Sequence, residues 1–305
     1  MKWPNELIFM KNSRAKQKQC NTSMAGRLSI ITGATSGVGL ATAKVLAAAK
    51  SNLVLVCRNR EKALPIREEL MNAYGVDVDI VVSDFSRMSE VRQAAETILN
   101  QYQTIDVIIN SVGLHSTRKR YNEDGIELCF AVNHLGIFLF TKLLLPRLVA
   151  QGHGRIIQVN SEGHRFSGVK LKDINFKKRI YTGLKGYGQS KTAQLLTMQV
   201  ISEQLKSSHV TINACHPGAV KTAIGSNNGF LYRFFFKHVT SHFLKNPVIS
   251  GQAIHYLAAA PELEGVSGRF FHLTIDELPA KHAIDPVMAR KVYDLSMEMV
   301  GLNDE

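Results

Sequence analysis

Tyr187 and Lys191 stand four residues apart in Tyr187-Gly188-Gln189-Ser190-Lys191. On a helix this spacing puts phenol and ammonium on one face. A free tyrosine has a pKa near ~10 and shuttles protons poorly at neutral pH. A neighbouring cation favours the phenolate and lowers that value, which fits the pair for general acid–base work on an oxygen. The same spacing occurs in Tyr181-Thr182-Gly183-Leu184-Lys185. There Gly183 suits a helix interior poorly, whereas the later copy runs on into apolar Leu195-Leu196. Tyr187 is therefore expected to be the acid/base, and Tyr181 a loop residue at the substrate mouth.

A second constellation is Thr32-Gly33-Ala34-Thr35-Ser36-Gly37-Val38-Gly39. It follows an apolar run and opens a helical pattern, the context in which such glycines bind phosphate. They permit a tight turn, let a pyrophosphate approach the backbone and allow close helix–strand packing. The helix N-terminus adds free N–H groups and partial positive charge. Gly33, Thr35, Ser36, Gly37, Val38 and Gly39 are thus candidate cofactor-binding residues. The second apolar run ends Val56-Cys57-Arg58-Asn59-Arg60, without the acid that would bind a ribose 2′-hydroxyl. An arginine there can hold a 2′-phosphate through charge-assisted bonds, so Arg58 points to NADP(H).

The elements that must position these groups alternate. Apolar runs at Leu28–Ile31, Leu53–Val56, Val78–Val82, Ile105–Ile109, Arg155–Val159 and Val210–Ala214 read as strands, with Arg269–Phe271 a candidate seventh. Helical patterns lie at Gly37–Ala49, from Glu61, and at Met88–Tyr102, Ile126–Val149 and Leu184–Leu205. Largely apolar strands alternating with helices imply a parallel sheet covered on both faces. Right-handed crossovers make it doubly wound. The expectation is an α/β, Rossmann-type single domain over residues 26–305, preceded by a basic extension, residues 1–25, loosely ordered or docked on the surface.

The TGxxxGxG spacing, together with YxxSK, resembles the short-chain dehydrogenase/reductase superfamily. The likeness runs from about residue 26 to 275. It leans to the retinol-dehydrogenase-like branch through Cys57-Arg58-Asn59, Val132-Asn133-His134-Leu135-Gly136, Asp173-Ile174-Asn175, His216-Pro217-Gly218 and Val266-Ser267-Gly268-Arg269-Phe270-Phe271. The resemblance implies hydride transfer between nicotinamide and a carbonyl or alcohol carbon, with Tyr187 carrying the proton. It assigns Ser161 to the substrate oxygen and Asn133 to a water relay toward Lys191. Asp84 and Phe85 fall at the adenine, and Arg58 matches a basic position of NADP-preferring members. Pro217, Gly218, Val220 and Thr222 match the segment lining the nicotinamide; Asn110, Tyr187 and Lys191 complete the cofactor contacts. Two departures stand out: Val112 replaces a small alanine in Asn110-Ser111-Val112-Gly113, and Asn160 replaces a serine before Ser161. The implied substrates are apolar carbonyls or alcohols of retinoid, steroid or fatty-aldehyde type. Homo-oligomers through the helices after the fourth and fifth strands are common in the family.

Bulk properties narrow the alternatives. The net charge is +12, from 37 Lys+Arg against 25 Asp+Glu. Such a balance can serve nucleic acid, an anionic membrane or a phosphorylated cofactor, but no nucleic-acid-binding motif accompanies it. Cys20, Cys57, Cys129 and Cys215 form no CxxC pair or zinc spacing, so no metal is expected, and a reducing, cytoplasmic compartment fits. No stretch reads as membrane-span length. Residues about 223–247 fall where the family places a substrate lid. There Tyr232, Phe235, Phe236, Val239 and Phe243 recur at helical spacing. Phe235 and Phe236 are candidate substrate contacts; Arg233, Lys237, Lys245 and the basic N-terminus are compatible with peripheral contact to anionic lipid. A rival of another class is an NADP(H)-binding regulatory or scaffold protein with little turnover. The intact Asn133, Ser161, Tyr187 and Lys191 argue for the enzyme.

Overall fold

Each apolar run sends alternate side chains to two cores, as the period of two in a strand requires. Ile30, Ile108 and Ile156 enter one core; Ile31, Ile109 and Ile157 enter the other. The computed structural model describes residue 12 and residues 15–218 and 246–303. The strands are β1 (Leu28–Thr32), β2 (Asn52–Cys57), β3 (Val78–Val82), β4 (Val107–Asn110), β5 (Gly154–Val159), β6 (Val210–His216), β7 (Phe270–His272) and β8 (Ile275–Asp276). They form one sheet in the order β3-β2-β1-β4-β5-β6-β7-β8, parallel except for the β7–β8 pair. The order reverses between β1 and β4, the switch point at which such sheets bind ligands.

Helices cover both faces. Helices α1 (Gly37–Ala48) and α2 (Arg60–Tyr74) lie on one face with α6 (Pro247–Ala259). The other face carries α3 (Met88–Gln101), α4 (Ile137–Gln151), α5 (Gly183–Gln204) and α7 (Pro286–Met299). This is the expected doubly wound single domain. The seventh strand starts one residue later than expected, and the short antiparallel β8 was not foreseen; Leu273, at φ +54°, turns the chain between them.

The long helix expected over Ile126–Val149 is not uniform. One helical turn (Leu128–Phe130) leads into a π-helical segment, Ala131–Gly136, and then α4. Wider turns of this kind often mark functional sites; this one carries Asn133. The Leu128–Gln151 stretch is 24 residues long and its most apolar 18-residue window has mean hydropathy 1.8, enough to cross a membrane by length and composition. That corrects the reading that no stretch reaches span length. Its most apolar window is 83% buried inside the fold, so its apolarity is accounted for by the core.

The N-terminal extension is docked where it is described. Met24 is fully buried, the Lys18 N–H donates to Thr274 Oγ1 at 2.8 Å, and Asn12 Nδ2 donates to Glu277 Oε2 at 2.6 Å. Val220, Thr222 and the aromatic segment with Phe235 and Phe236 lie outside the described residues.

Candidate active site

The turn after β1 is shaped by what it excludes. Gly33 adopts φ +69°, and a Cβ on it would lie 2.9 Å from Val112 Cα. A Cβ on Gly39 would lie 2.4 Å from Gly33 O, so only glycine lets α1 sit this close to the strand end. Ser36 is the N-cap of α1 but makes no side-chain cap bond, and the first turn holds no acid. The first amides of α1 therefore face no competing protein anion, which fits a pyrophosphate. At the next helix the reverse holds: the Asn59 side chain accepts from Lys62 N, and Glu61 occupies the first turn. Thr35, Ser36, Gly37 and Val38 all belong to the open turn. The departure at Val112 is absorbed by packing of its side chain on the core.

Arg58 emerges exposed directly after β2, beside that turn; Gly33 N donates to Val56 O at 2.8 Å. Asp84, after β3, spends Oδ1 on Ser86 N and Oγ at 2.9 and 2.8 Å. Two expected cofactor contacts are revised at the side-chain level. Phe85 turns its ring into the core against Phe140, with centroids 5.5 Å apart. Asn110 is fully buried and donates Nδ2 to Thr141 Oγ1 at 2.9 Å. Both positions can reach the crevice only through backbone.

Four segments converge at the C-terminal ends of β4 and β5. Asn133 Nδ2 donates to Leu114 O at 2.9 Å and Ser190 Oγ at 3.0 Å, while its Oδ1 accepts from Leu114 N at 2.8 Å. This clamps the loop after β4 onto α5. Ser190 in turn donates to Tyr187 O at 2.7 Å. A Cβ on Gly163 would lie 2.7 Å from Tyr187 Cε1 and 3.3 Å from Ser161 Oγ. The serine hydroxyl and tyrosine ring thus flank one small space that only glycine leaves open. The Lys191 ammonium lies 5.9 Å from the Tyr187 ring centroid and donates to Val159 O at 2.7 Å. Burial brings Lys191 down to about 7, since a low-dielectric setting disfavours the charged form.

Tyr181 does precede α5 in a loop, but it points inward. Its hydroxyl donates to Ser116 O at 3.0 Å and meets Glu127 Oε1 at 3.2 Å, its ring packs edge-on against Phe176, and burial pushes its pKa up. Those bonds make its hydroxyl a brace for the loop, while the residue as a whole stays half-buried. His115 stands nearer the chemistry: its ring meets Tyr187 edge-on at 5.5 Å, and burial lowers its pKa. No sequence motif marks it, because it lies in an irregular loop.

The loop carrying Ser161 is held from several sides. His164 Nε2 accepts from Ala280 N at 3.1 Å, which leaves Nδ1 as donor to Ser161 O at 2.7 Å. Burial lowers this imidazole to about 4. Glu162, His216 and His272 bring ligand-type atoms within 4.8 Å of one another. The Glu162 carboxylate is already committed to Arg165 and His272, and Arg165 also pairs with fully buried Glu277. Burial acts to raise Glu162, but His272, His216 and Arg165 hold it low; Glu277 is raised by burial and by the facing Glu162 charge. The group is an ion-pair network joining the loop that carries Ser161 to the β7–β8 hairpin and, through Asn12, to the N-terminal extension. Sequence reasoning missed it, since its members lie up to 265 residues apart.

The fold and this convergence define a dinucleotide-binding oxidoreductase scaffold. A family model described as short chain dehydrogenase matches residues 27–229. The chain is 35% identical over 289 residues to human retinol dehydrogenase 13, covering 92% of this chain and 86% of the relative. It is 36% identical to mouse retinol dehydrogenase 14, at 92% and 87% coverage. Among solved structures, a Mycobacterium paratuberculosis protein superposes with TM-score 0.73 at 25% identity, covering 92% of this chain and 96% of that one. A Shigella flexneri short chain dehydrogenase complexed with NADP superposes with TM-score 0.67 at 20% identity, covering 83% and 99%. The chain belongs to the short-chain dehydrogenase family, and its relatives of retinol-dehydrogenase type place it in that branch of oxidoreductases.

Proposed function

We propose that the protein is an NADP(H)-dependent oxidoreductase that interconverts an apolar carbonyl compound and its alcohol, with Tyr187 as acid/base. The observation that carries this reading is the meeting of residues from three separate segments: Ser161 and Tyr187 flank the space beside Gly163, Lys191 lies behind the Tyr187 ring on α5, and Asn133 is bonded to Ser190 between them. When bound, the cofactor supplies or accepts the hydride. Gly33 to Gly39 would hold its pyrophosphate, Arg58 its 2′-phosphate, and Asp84 with the Phe85 backbone its adenine end. Pro217 and Gly218, directly after β6, would line the nicotinamide.

The chain's own residues handle the oxygen and its proton. Ser161 hydrogen-bonds the substrate oxygen and aims it at the phenol. In reduction Tyr187 gives its proton to that oxygen; in oxidation it takes one. The Lys191 cation favours the phenolate and so brings Tyr187 toward the working pH. Asn133 locks the loop after β4 to α5 and keeps the tyrosine face in register. His115 packs edge-on against the Tyr187 ring and helps to fix its orientation.

An apolar substrate is supported by exposed Phe166, beyond Ser161, and by Ile180 and Leu184 at the start of α5, 65%, 80% and 59% exposed. Relatives named for retinol, an apolar alcohol, point the same way, as does the aromatic content of residues 230–243, including Phe235 and Phe236. A homologous series of aldehydes tests the reading. kcat/KM with NADPH should rise with chain length, because each buried methylene adds about 0.8 kcal/mol of transfer free energy. A preference for small polar carbonyls would remove the apolar substrate, and no turnover with any carbonyl or alcohol would favour the regulatory reading.

A further inference from the structure

Two buried amides outside the four-residue set, Asn160 and Gln194, form a polar cluster with Lys191. Asn160, Lys191 and Gln194 are 2%, 3% and 1% exposed. Gln194 Oε1 accepts from Asn160 Nδ2 at 2.7 Å and from Lys191 Nζ at 3.3 Å. Asn160 Nδ2 also donates to Lys191 O at 3.0 Å, and its Oδ1 accepts from Ser161 N at 2.7 Å. One pair of amides therefore touches the backbone of Ser161, the backbone of Lys191 and the Lys191 ammonium.

The orientation of Gln194 is dictated by charge. Two donors converge on its oxygen, so flipping the amide would turn its N–H groups against an ammonium and another amide N–H. The observed orientation leaves Gln194 Nε2 buried without a partner. Burying such a group costs free energy, and an apolar residue of the same size would avoid that cost. The arrangement trades it for an acceptor placed on Lys191 and on the asparagine that holds Ser161.

We propose that Asn160 and Gln194 are positioning residues that hold the Lys191 ammonium and the Ser161 backbone in a single register. This rests on the reading of Tyr187 and Lys191 as the proton-handling pair. Asn160 is thus more than a tolerated departure from serine. Its side chain spans the gap between β5 and α5, which the shorter serine side chain would not bridge in the same way. Gln194 lies on the face of α5 that carries Lys191, one turn further along.

The test uses full-length protein with lysine side chains labelled with ¹³C. In Gln194→Met, which keeps length but removes the acceptor, the NMR titration midpoint of Lys191 should fall by about one unit, since a bond to the charged form is lost. Turnover should fall about tenfold, and the pH limb set by Tyr187 should move upward. Asn160→Ala should give the same changes, and the double variant little more, because the residues act as one unit. Should Gln194→Met fail to fold, Asn160→Ala alone carries the comparison. Folded variants with an unmoved Lys191 titration and an unmoved pH profile would overturn the proposal, as would a loss of turnover without either shift. The lysine titration is read without cofactor or substrate, so it is separate from the acid/base reading, which fails instead if Tyr187→Phe remains active.

Discussion

The two halves of the sheet prepare for function in opposite ways. Between residues 27 and 109 the buried polar side chains are Ser29, Thr32, Thr42, Ser51 and Ser83, all small hydroxyls. Beyond that point burial takes in Glu127, Asn133, His134, Asn160, His164, Lys191, Gln194, His272 and Glu277. The first half offers backbone: glycines that admit a ligand, a helix end without a protein anion, and an exposed arginine. The second half holds side chains in a low-dielectric network. Binding a large anion needs open N–H groups and little else, whereas moving a proton needs side chains whose positions and charges are fixed. Substitutions should therefore act locally on affinity in the first half, and on chemistry or stability in the second.

The largest expected effect lies in the second half. Tyr187→Phe should lower kcat by about a thousandfold or more, the scale of lost acid–base catalysis, with NADPH binding by fluorescence little changed. Tyr181→Phe should keep most of its turnover, because its hydroxyl braces a loop. Reversed behaviour of the two would reassign the chemistry.

Next comes the ion-pair network. Arg165→Met strips the partner from Glu162 and from fully buried Glu277. Breaking a buried pair from one side costs about 3–5 kcal/mol, read as a lower denaturant midpoint. Restoring stability with Glu277→Gln in the same chain would show that the uncompensated carboxylate is the cause. A change within experimental error would make the network ornamental and weaken the contrast.

In the first half, Arg58→Ala should weaken NADPH by about one to two decades, the scale of lost charge-assisted bonds to a phosphate. NADH affinity should hardly move, and neither should stability. Equal losses for both cofactors would remove Arg58 from the 2′-phosphate.

A last test sharpens the comparison through pH. His134 and His164 are buried, and burial lowers them to about 3 and about 4. The unfolded chain, with histidines near ~6.5, binds protons that the folded chain refuses. Stability should therefore be full above about pH 6.5 and fall as pH drops toward 4, by about 1.4 kcal/mol per pH unit for each such group. His134 shows the mechanism: Ser296 Oγ donates to Val292 O, so His134 Nε2 is the donor to Ser296 at 2.7 Å, and buried Nδ1 has no partner to receive a proton's charge. His134→Gln should flatten this acid slope in thermal melts. An unchanged slope would place the titrating groups elsewhere.

Much of the molecule was legible because its causes are local. Strand alternation, the glycine spacing after β1 and the four-residue step from Tyr187 to Lys191 each follow from backbone geometry within a few residues. The same holds for the missing acid at Arg58. The π-helical segment that carries Asn133 left no comparable mark, since an apolar run fits α and π turns alike. Nor could local pattern show that Phe85 and Asn110 turn into the core, or that Tyr181 turns toward Glu127.

The amino-acid sequence alone determined the doubly wound sheet, the glycine turn after β1 and the order of the candidate site residues, because periodicity and steric exclusion act between near neighbours. Only the tertiary structure decided which polar groups pair. Asn160 meets Gln194 across 34 positions, Arg165 meets Glu277 across 112, and Asn12 meets Glu277 across 265. A buried polar group must find a partner, but its chemistry does not say which one. That choice is made by the packing that brings distant segments within hydrogen-bond reach.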